Sequence, residues 1–330
     1  MMSRSLDAEI LGRLRDAVEG SVSGAELAQH LGVSRAAVWA RVEDLRLLGY
    51  EIQASPHLGY RLVSSPDLLH ADDLLSRLSS SQVIGRDIRV FEETTSTNDV
   101  VDKLGRDGVA EGVVVFAESQ TRGRGRLGRQ WLSPARKGLW FSVLLRPKLH
   151  LQAATQLTVL SATALRRALE LQTGLKPEIK WPNDILLSGR KVAGILTELT
   201  AEVDSIRYLV LGIGVDVNLN AGDFAPELRR QATSLKIESG KAVSRPDLAV
   251  AILSELDADY QRLAGGGFAE LAEEWQAHCT TLGRHVSIRT GERVVRGCAE
   301  SLGDEGALLV RTEHGHLEPV TGGDVTLERT

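Results

Sequence analysis

The spacing of apolar residues changes twice along this chain of 330 residues, and these changes constrain its fold more than any other feature. In the first part of the chain apolar residues recur mainly at helical spacing. From about residue 83 to 275 strand-like and helical stretches are mixed. From about Gly283 short alternating runs recur roughly every 8–12 residues, separated by glycine-rich turns. The chain is therefore predicted to be a multidomain α+β protein with three different units.

The first unit, residues 1–65, has the order helix, helix, short turn, helix and hairpin. Ser23 and Glu26 have the spacing of a capping box that would begin the second helix, and Ser34 is expected to cap the third. The run EIQASPHLGYRLV alternates around a Pro-His-Leu-Gly turn, which predicts a hairpin. This order is typical of a winged helix-turn-helix. The apolar positions predicted for the first helix are Leu6, Ile10, Leu11, Leu14 and Val18.

A winged helix-turn-helix offers its third helix to the DNA major groove and its wing to phosphates. Residues 1–65 hold seven arginines, no lysine and eight carboxylates. Because non-specific affinity comes mainly from phosphate neutralisation, one copy should bind DNA weakly, whereas a dimer reading two half-sites would recover affinity. A helical packing module without a DNA partner is the alternative. The predicted DNA-contacting residues are Ser34, Arg35, Ala36, Trp39, Arg41 and Arg61.

Three further segments follow the first unit. Residues 66–82 are predicted to be a polar linker with a short helical pattern. Residues 83–278 are predicted to form a mixed α/β domain whose sheet carries helices on one face, with a long helix from Leu151 to a C-terminal cap at Gly174. Residues 279–330 are predicted to form a small, SH3-like β-barrel.

Several classes of protein are excluded by what the sequence lacks. Its N-terminus MMSRSLDAEI is charged and has no apolar stretch of the signal-peptide kind, and no apolar run approaches the length of a membrane span. Cys279 and Cys298 lie far apart, and the eight histidines show no metal-ligand spacing. A reduced, cytoplasmic protein without a metal site of its own is expected.

The segment from Arg122 to Arg129, here called the arginine loop, holds four arginines, three glycines and no carboxylate. Its G-x-G-x-x-G pattern is not followed by the helix and acidic residue of a dinucleotide fold, and a Walker lysine is absent. An Arg-Gly segment that touches nucleic acid is the alternative. A loop between two strands, with glycines for close approach and guanidinium groups for oxygen anions, instead predicts a mobile cationic lid over a nucleotide or acyl phosphate.

Three separated motifs carry a resemblance to a known family. GRGRLGRQW from Gly123, KWPNDI from Lys180 and KVAGIL from Lys191 resemble the signature stretches of biotin protein ligases. With the winged helix ahead of them, residues from about 6 to 325 resemble the bifunctional form, which is both ligase and biotin operon repressor. Leu127 departs from the family pattern, because another arginine can stand there.

The resemblance implies a two-step reaction: biotin and MgATP give biotinyl-5'-AMP and pyrophosphate, and a lysine of the biotin carboxyl carrier protein then displaces AMP. Lys180 and Arg126 are the implied catalytic residues, and Arg124 is expected to join them in neutralising the reacting anions. The implied biotin-binding residues are Ser96, Thr97, Asn98, Gln120, Gly123, Arg124, Gly125, Arg126, Lys180 and Gly194. The implied nucleotide-binding residues are Arg126, Arg129, Trp131, Lys180, Asn183 and Asn218.

Some of these residues also have ordinary structural interpretations. Ser96 and Asp99 have the spacing of a capping box, and Trp131 can be a core tryptophan rather than an adenine-stacking one. No histidine or cysteine cluster is expected to hold magnesium, which would be carried mainly by the ATP phosphates.

The resemblance also implies regulation. Biotinyl-5'-AMP would act as corepressor by favouring a homodimer that binds a palindromic operator. Two alternatives stay open at this point: a ligand-sensing transcription factor that has lost catalysis, and a ligase for lipoate or octanoate.

Overall fold

The computed structural model describes residues 5–17, 20–56, 58–202 and 205–327, so residues 1–4, Val18 and His57 of the predicted wing turn lie outside it. The predicted helix-turn-helix and hairpin are present. Ser34 caps the third helix by accepting from the Ala37 amide at 3.1 Å. Ser23 accepts from Ala25 rather than from the Glu26 amide that the capping box requires. The elements are α1 (Leu6–Asp16), α2 (Gly24–Leu31), α3 (Arg35–Leu47), β1 (Glu51–Ser55) and β2 (Gly59–Ser64).

The first unit has its own apolar core. Ile10 and Leu11 of α1, Val42 and Leu45 of α3 and Ile52 of β1 are almost completely buried against one another. The helical spacing read from the sequence therefore marks the side of each helix that packs inward.

The middle of the chain forms one seven-stranded sheet with the order β3-β4-β5-β9-β8-β7-β6. Only the β3–β4 pair is parallel, so the sheet is mixed, as predicted. The strands are β3 (Asp87–Thr94), β4 (Val113–Gln120), β5 (Leu139–Leu145), β6 (Glu178–Lys180), β7 (Asp184–Leu187), β8 (Arg190–Glu202) and β9 (Ser205–Val215). The helices that follow α3 are α4 (Ala71–Arg77), α5 (Thr97–Arg106), α6 (Thr155–Thr173), α7 (Leu235–Ser239), α8 (Arg245–Ala264) and α9 (Phe268–Ala277).

Helices cover both faces of this sheet, so the expectation of helices on one face is wrong. Alternate residues of β4 point to opposite faces. Val114 and Phe116 join the main core beneath α6, α8 and α9. Val113 and Val115 pack on the other side with Val101 of α5. The short α5 has its own apolar stripe, which needs a separate surface to cover it.

The predicted long helix begins slightly later than expected. Residues 151–154 form a 3-10 turn, and α6 proper starts at Thr155. Gly174 ends it in the left-handed conformation, with φ of 71°, as the glycine cap predicts.

The C-terminal unit is a five-stranded antiparallel sheet with the order β13-β12-β11-β10-β14. Its turn at Asp304 and Glu305 holds the start of α6, because Gln156 donates to the Asp304 carbonyl at 2.8 Å and Thr155 to the Glu305 carbonyl. The unit is thereby fixed beside the large sheet. Its strands are β10 (His285–Thr290), β11 (Arg293–Leu302), β12 (Leu308–Thr312), β13 (Leu317–Val320) and β14 (Asp324–Leu327).

The linker is fixed to the units on both sides of it. Arg15 of α1 reaches Asp73 of α4 at 2.5 Å, and Asp73 is nearly inaccessible. Arg77 of α4 pairs with Asp247 of α8. The predicted linker therefore holds the winged domain against the large domain.

A fully buried arginine anchors the beginning of the same linker. The Arg245 amide and side chain donate to the Asp67 carboxylate at 2.9 and 3.3 Å, and Nη2 donates to the Asp67 carbonyl at 2.8 Å. The same guanidinium pairs with Glu118 of β4, which is 1% exposed. Arg245 thus joins the linker to the strand that leads into the arginine loop.

No helix in the described ranges is long and apolar enough to cross a bilayer.

Candidate active site

A cavity of about 590 Å³ opens beside the large sheet, between the arginine loop, the turn after β6 and the start of β14. Most residues predicted from the three motifs come together here, although they lie far apart in sequence. The predicted residues that line it are Ser96, Thr97, Asn98, Gln120, Arg124, Gly125, Arg126, Arg129, Trp131, Lys180, Asn183 and Gly194.

Two predicted residues do not line the cavity. Gly123 is a buried residue of the loop, and an added Cβ there would lie 2.5 Å from the Trp131 carbonyl oxygen, so a glycine is needed for the loop to close on this segment of backbone. The Asn218 side chain donates to the Val243 carbonyl and accepts from the Val243 amide, both at 2.9 Å. These bonds join two backbone segments through the Asn218 side chain, and its nucleotide contact stays a prediction.

The predicted biotin residues at the start of α5 form a buried polar network. Gln120 accepts from the Thr97 amide at 2.9 Å and donates to Ser133 at 2.9 Å. The Ser142 hydroxyl lies 2.7 Å from the Thr97 hydroxyl and donates to Asn98 Oδ1 at 2.5 Å. Thr97 and Asn98 are 3% and 4% exposed, so this network fixes their orientation.

Ser96 is the N-cap residue of α5 but makes no side-chain capping bond, so the alternative of a capping box with Asp99 is wrong. Asp99 is occupied elsewhere: its carboxylate accepts from Arg124 Nη1 at 2.6 Å and from the Thr95 hydroxyl at 3.2 Å. Arg124 of the arginine loop thus binds the carboxylate of Asp99 that would have completed the capping box.

Arg124 is tied down by two carboxylates. Its Nε and Nη2 donate to Glu198 of β8 at 3.1 and 3.0 Å, in addition to the bond to Asp99. Burial opposes the charged form, but the hydrogen bonds that Arg124 donates to Glu198 and Asp99, together with the charges of these carboxylates, outweigh it and raise the pKa of Arg124. These contacts balance the charge of Arg124 and anchor the loop, while its part in neutralising the reacting anions stays a prediction.

Arg126 and Lys180 are partly buried cations that remain available to a ligand, and the exposed Arg230 also lines the cavity without an ion pair among the described residues. Arg126 Nη1 donates to Asn183 Oδ1 at 3.1 Å, and burial lowers the pKa of its guanidinium. Within the described residues neither Arg126 nor Lys180 forms an ion pair, and both line the cavity. A partly buried cation without a carboxylate partner favours binding of an anion.

Arg129 connects the loop to the C-terminal unit through Asp324 at the start of β14, at 2.6 Å. Both side chains are well exposed, so this contact orients the loop more than it stabilises the fold.

Trp131 lies flat against the sheet. An added Cβ at Gly214 would come within 2.7 Å of the indole ring and one at Gly194 within 3.0 Å. Lys191 Nζ lies 5.0 Å from the ring centroid, a cation–π distance. The indole Nε1 is buried without a hydrogen-bond partner in the described structure. The ring is half-buried in the cavity wall, a position compatible both with stacking on adenine and with packing in the core. Its nucleotide contact stays a prediction.

Sequence reasoning missed Lys191 as a site residue although it had singled out KVAGIL. Lys191 Nζ pairs with Asp184 Oδ1 at 2.5 Å, and both line the cavity. Its position three residues before Gly194, on the same motif, was the available signal.

Asp216, directly after β9, is a second missed residue. It lines the cavity, is 5% exposed, and its carboxylate has no hydrogen-bond partner among the described residues. Burial raises the pKa of Asp216 well above its ordinary value of 3.8, although the charge of Lys191 opposes this. Nothing in the sequence distinguished it from a surface aspartate.

Replacing Asp216 with asparagine should make folding stability less sensitive to pH. Above pH 3.8 the unfolded chain releases a proton that the folded chain retains, so the parent loses stability as pH rises towards the raised pKa. The Asp216→Asn variant avoids this loss and should be more stable near neutral pH, by on the order of 1 kcal/mol or more, with the difference vanishing near pH 4. Urea unfolding across this range measures it.

The exposed Asp107→Asn is the matched control, since Asp107 lies on the surface at the end of α5. Parallel stability profiles for Asp216→Asn and the parent would show that Asp216 remains ionised in the folded chain.

The residues predicted to contact DNA lie on the winged unit. Arg35 and Ala36 are exposed at the start of α3, and Trp39 is 57% exposed. Ser34 uses its hydroxyl in capping α3. The predicted set thus presents an open helix surface at its N-terminal end.

Arg41 and Arg61 are already engaged. Arg41 donates to both carboxylate oxygens of Asp7 at 2.8 and 3.0 Å, which joins α3 to α1. Arg61 of the wing donates to Gln53 at 3.0 Å on the neighbouring strand. Arg41 therefore connects α3 to α1 through its guanidinium, whereas Arg61 remains exposed on the wing.

Within the described ranges, no group of three or more histidine, cysteine, aspartate or glutamate side chains is arranged to hold a metal ion.

The geometry agrees with three matches to known domain families. Residues 90–216 match the biotin/lipoate A/B protein ligase family, residues 8–61 match an HTH domain, and residues 281–327 match the biotin protein ligase C-terminal domain. The fold and the site thus define a protein ligase domain preceded by a helix-turn-helix domain.

Relatives match over nearly the whole chain. The bifunctional ligase/repressor BirA of Bacillus subtilis is 35% identical over 99% of this chain and 100% of its own length. The BirA of Escherichia coli is 30% identical over 92% of each chain. The structure of Aquifex aeolicus biotin protein ligase in complex with biotin and ATP has a TM-score of 0.63 at 30% identity, covering 74% of this chain and 100% of that one. The chain belongs to the biotin protein ligase family, in its form with an N-terminal helix-turn-helix domain.

Proposed function

We propose that this chain is an ATP-dependent biotin protein ligase that also represses transcription in response to its own reaction intermediate. The observation that supports the ligase half is that two partly buried cations, Arg126 and Lys180, line the cavity beside the arginine loop without ion-pair partners in the described structure. Two anions must meet there, and positive charge aimed at the reacting atoms lowers the barrier to their approach.

In the first step a biotin carboxylate oxygen attacks the α-phosphorus of ATP, forming the acyl–phosphate bond as pyrophosphate leaves. In the second, the amine of an acceptor lysine on the biotin carboxyl carrier protein attacks the acyl carbon, loses a proton and displaces AMP. Lys180 and Arg126 hold the carboxylate and α-phosphate together. The loop keeps water from the mixed anhydride until the acceptor arrives.

The remaining residues divide between the two substrates. The network from Gln120 to Asn98 offers donors and acceptors for the biotin ureido group, with Gly194 allowing close approach to β8. Asn183, Arg129 and Trp131 line the same cavity, and we assign them to the nucleotide. Magnesium would enter on the ATP phosphates, without a dedicated protein site.

Mass spectrometry of the chain incubated with MgATP and one acid at a time tests the ligase. Biotin should give a retained biotinyl-5'-AMP and pyrophosphate, and an added carrier protein should gain biotin on one lysine. An adenylate formed instead from lipoate or octanoate would change the substrate and keep the mechanism. The absence of an adenylate with every acid would contradict the ligase and leave a ligand sensor.

The repressor half rests on the winged unit, whose α3 presents Arg35, Ala36 and Trp39 openly. We infer that the adenylate favours a homodimer, which reads a palindromic operator through two α3 helices. The proposed division is a DNA-binding domain at 1–65, a linker at 66–82, a catalytic domain at 83–278 and a terminal unit at 279–330, in a cytoplasmic protein.

Operator binding and sedimentation, with and without biotin plus MgATP, test this half. Both ligands together should tighten operator binding and increase the dimer fraction. Unchanged operator affinity would leave the ligase without the repressor.

A further inference from the structure

Glu198 was singled out by no sequence motif and does not line the cavity, but it contacts two of the predicted biotin residues at once. It lies on β8 and reaches Asn98 at the start of α5. Its carboxylate accepts from Asn98 Nδ2 at 2.6 Å and from Arg124 Nε and Nη2 at 3.1 and 3.0 Å. One carboxylate therefore joins the start of α5 to the arginine loop.

The carboxylate decides how the Asn98 amide is oriented. Ionised Glu198 can only accept hydrogen bonds, so Asn98 must turn its NH₂ group towards it. Asn98 Oδ1 then faces the Ser142 hydroxyl at 2.5 Å, where it accepts. Gly212 lies directly beneath, and an added Cβ there would come within 2.3 Å of Asn98 Oδ1, so the amide is also confined sterically. One amide hydrogen is left for a ligand.

The same carboxylate fixes Arg124 through a two-pronged contact, which is more directional than a single ion pair. Asp99 holds the remaining Nη1 at 2.6 Å. The Arg124 guanidinium is thereby bound to both β8 and α5. These contacts hold the backbone of the arginine loop beside the cavity.

We propose that Glu198 is a positioning residue for biotin binding: it sets the orientation of Asn98 and anchors the arginine loop through Arg124. This inference rests on the proposed function, because it takes biotin to be the ligand of that network. Glu198 does not touch the reacting atoms. Its removal therefore acts on biotin affinity and on loop order rather than on the bond-forming step.

Glutamine is the sharpest substitution, because it keeps the shape of the side chain and changes only its hydrogen-bonding pattern. One carboxylate oxygen of Glu198 would be replaced by an NH₂ group, yet Asn98 and Arg124 both present donors. Glu198→Gln must leave one of them facing another donor, and an unsatisfied polar group of this kind is costly when partly buried.

Calorimetric titration of the Glu198→Gln chain with biotin should give a Kd raised by about 10-fold or more, equivalent to about 1.4 kcal/mol. In steady-state assays the KM for biotin should rise likewise, while kcat at saturating biotin and the KM for MgATP stay within about 3-fold. Trypsin should cut faster after the arginines of the arginine loop, as mapped by mass spectrometry, because Arg124 is released.

Glu202→Gln is the matched control, since it removes a carboxylate from the end of the same strand, where Glu202 pairs only with exposed Arg207 at 3.2 Å among the described residues. It should behave as the parent in all three measurements, and thermal unfolding of both variants checks the fold.

Equal biotin Kd and equal trypsin cleavage for Glu198→Gln and the parent would overturn the inference. A fall in kcat alone, with Kd unchanged, would also overturn it. Failure of the parent itself to bind biotin would instead count against the proposed function, and the trypsin comparison would still decide whether Glu198 anchors the loop.

Discussion

Replacing Lys180 with alanine should lower kcat/KM for adenylate formation by roughly 10²–10³-fold or more, with the fold intact. Lys180 ends β6 at the cavity and has no ion-pair partner in the described structure, so its charge is available to the reacting carboxylate and phosphate. The anionic groups would otherwise repel one another as they approach. Initial rates of pyrophosphate release, at saturating MgATP and at biotin concentrations below and above its KM, measure the loss.

Lys176→Ala is the matched control, because Lys176 is an exposed lysine just before the same strand. It should retain the parent rate. A loss below about 10-fold in Lys180→Ala would mean that Arg126 supplies most of the electrostatic stabilisation, and that the catalytic assignment of Lys180 is wrong.

Replacing Arg245 with methionine should cause the largest loss of stability, about 3–5 kcal/mol. Arg245 is completely buried and neutralises Glu118, which is 1% exposed. Its loss leaves that carboxylate without its counter-charge and also frees Asp67 of the linker. Urea unfolding and differential scanning calorimetry measure the change, for which a fall in Tm of about 10 °C is expected.

Arg262→Met on the same helix is the control, because Arg262 is exposed in the last turn of α8. The double variant with Arg245→Met and Glu118→Met should recover much of the loss, since it removes the stranded carboxylate. No recovery would mean that the contacts of Arg245 with Asp67, and not the buried charge, dominate.

The parts of the fold that the sequence predicts are those specified by local patterns. The winged helix follows from short-range spacing and capping, and Gly174 ends α6 where expected. The second face of the large sheet was missed because the stripe on α5 is short. The residues that pack against this stripe, Val113 and Val115, belong to β4, whose residues from Val113 to Ala117 are all apolar. A continuously apolar strand shows no alternation that would reveal two separately covered faces.

The site was predictable where residues stand in contiguous motifs, and not where they act through distant partners. The arginine loop suggested a free cation at Arg124, but its carboxylate partner Glu198 lies 74 residues further along the chain. Asp216 and Asn218 stand two positions apart, yet only Asp216 lines the cavity. Which of two neighbouring polar residues lines the cavity depends on the backbone path after β9, which local composition does not encode.

The anchored linker has a consequence for how two copies could read DNA. A slack tether lets a domain search a volume whose size grows with tether length. Here Asp67 of the linker is bound to Arg245 of α8, and Asp73 of α4 is bound to Arg15 of α1. These contacts hold the winged domain in one position relative to the ligase domain. If two chains form the proposed homodimer, the distance between their α3 helices is then set by how the chains pair. To read an operator with a different half-site spacing, the two winged domains would have to lie at a different distance from each other. That change would require repacking of α4, because a longer chain outside the linker does not move the winged domain.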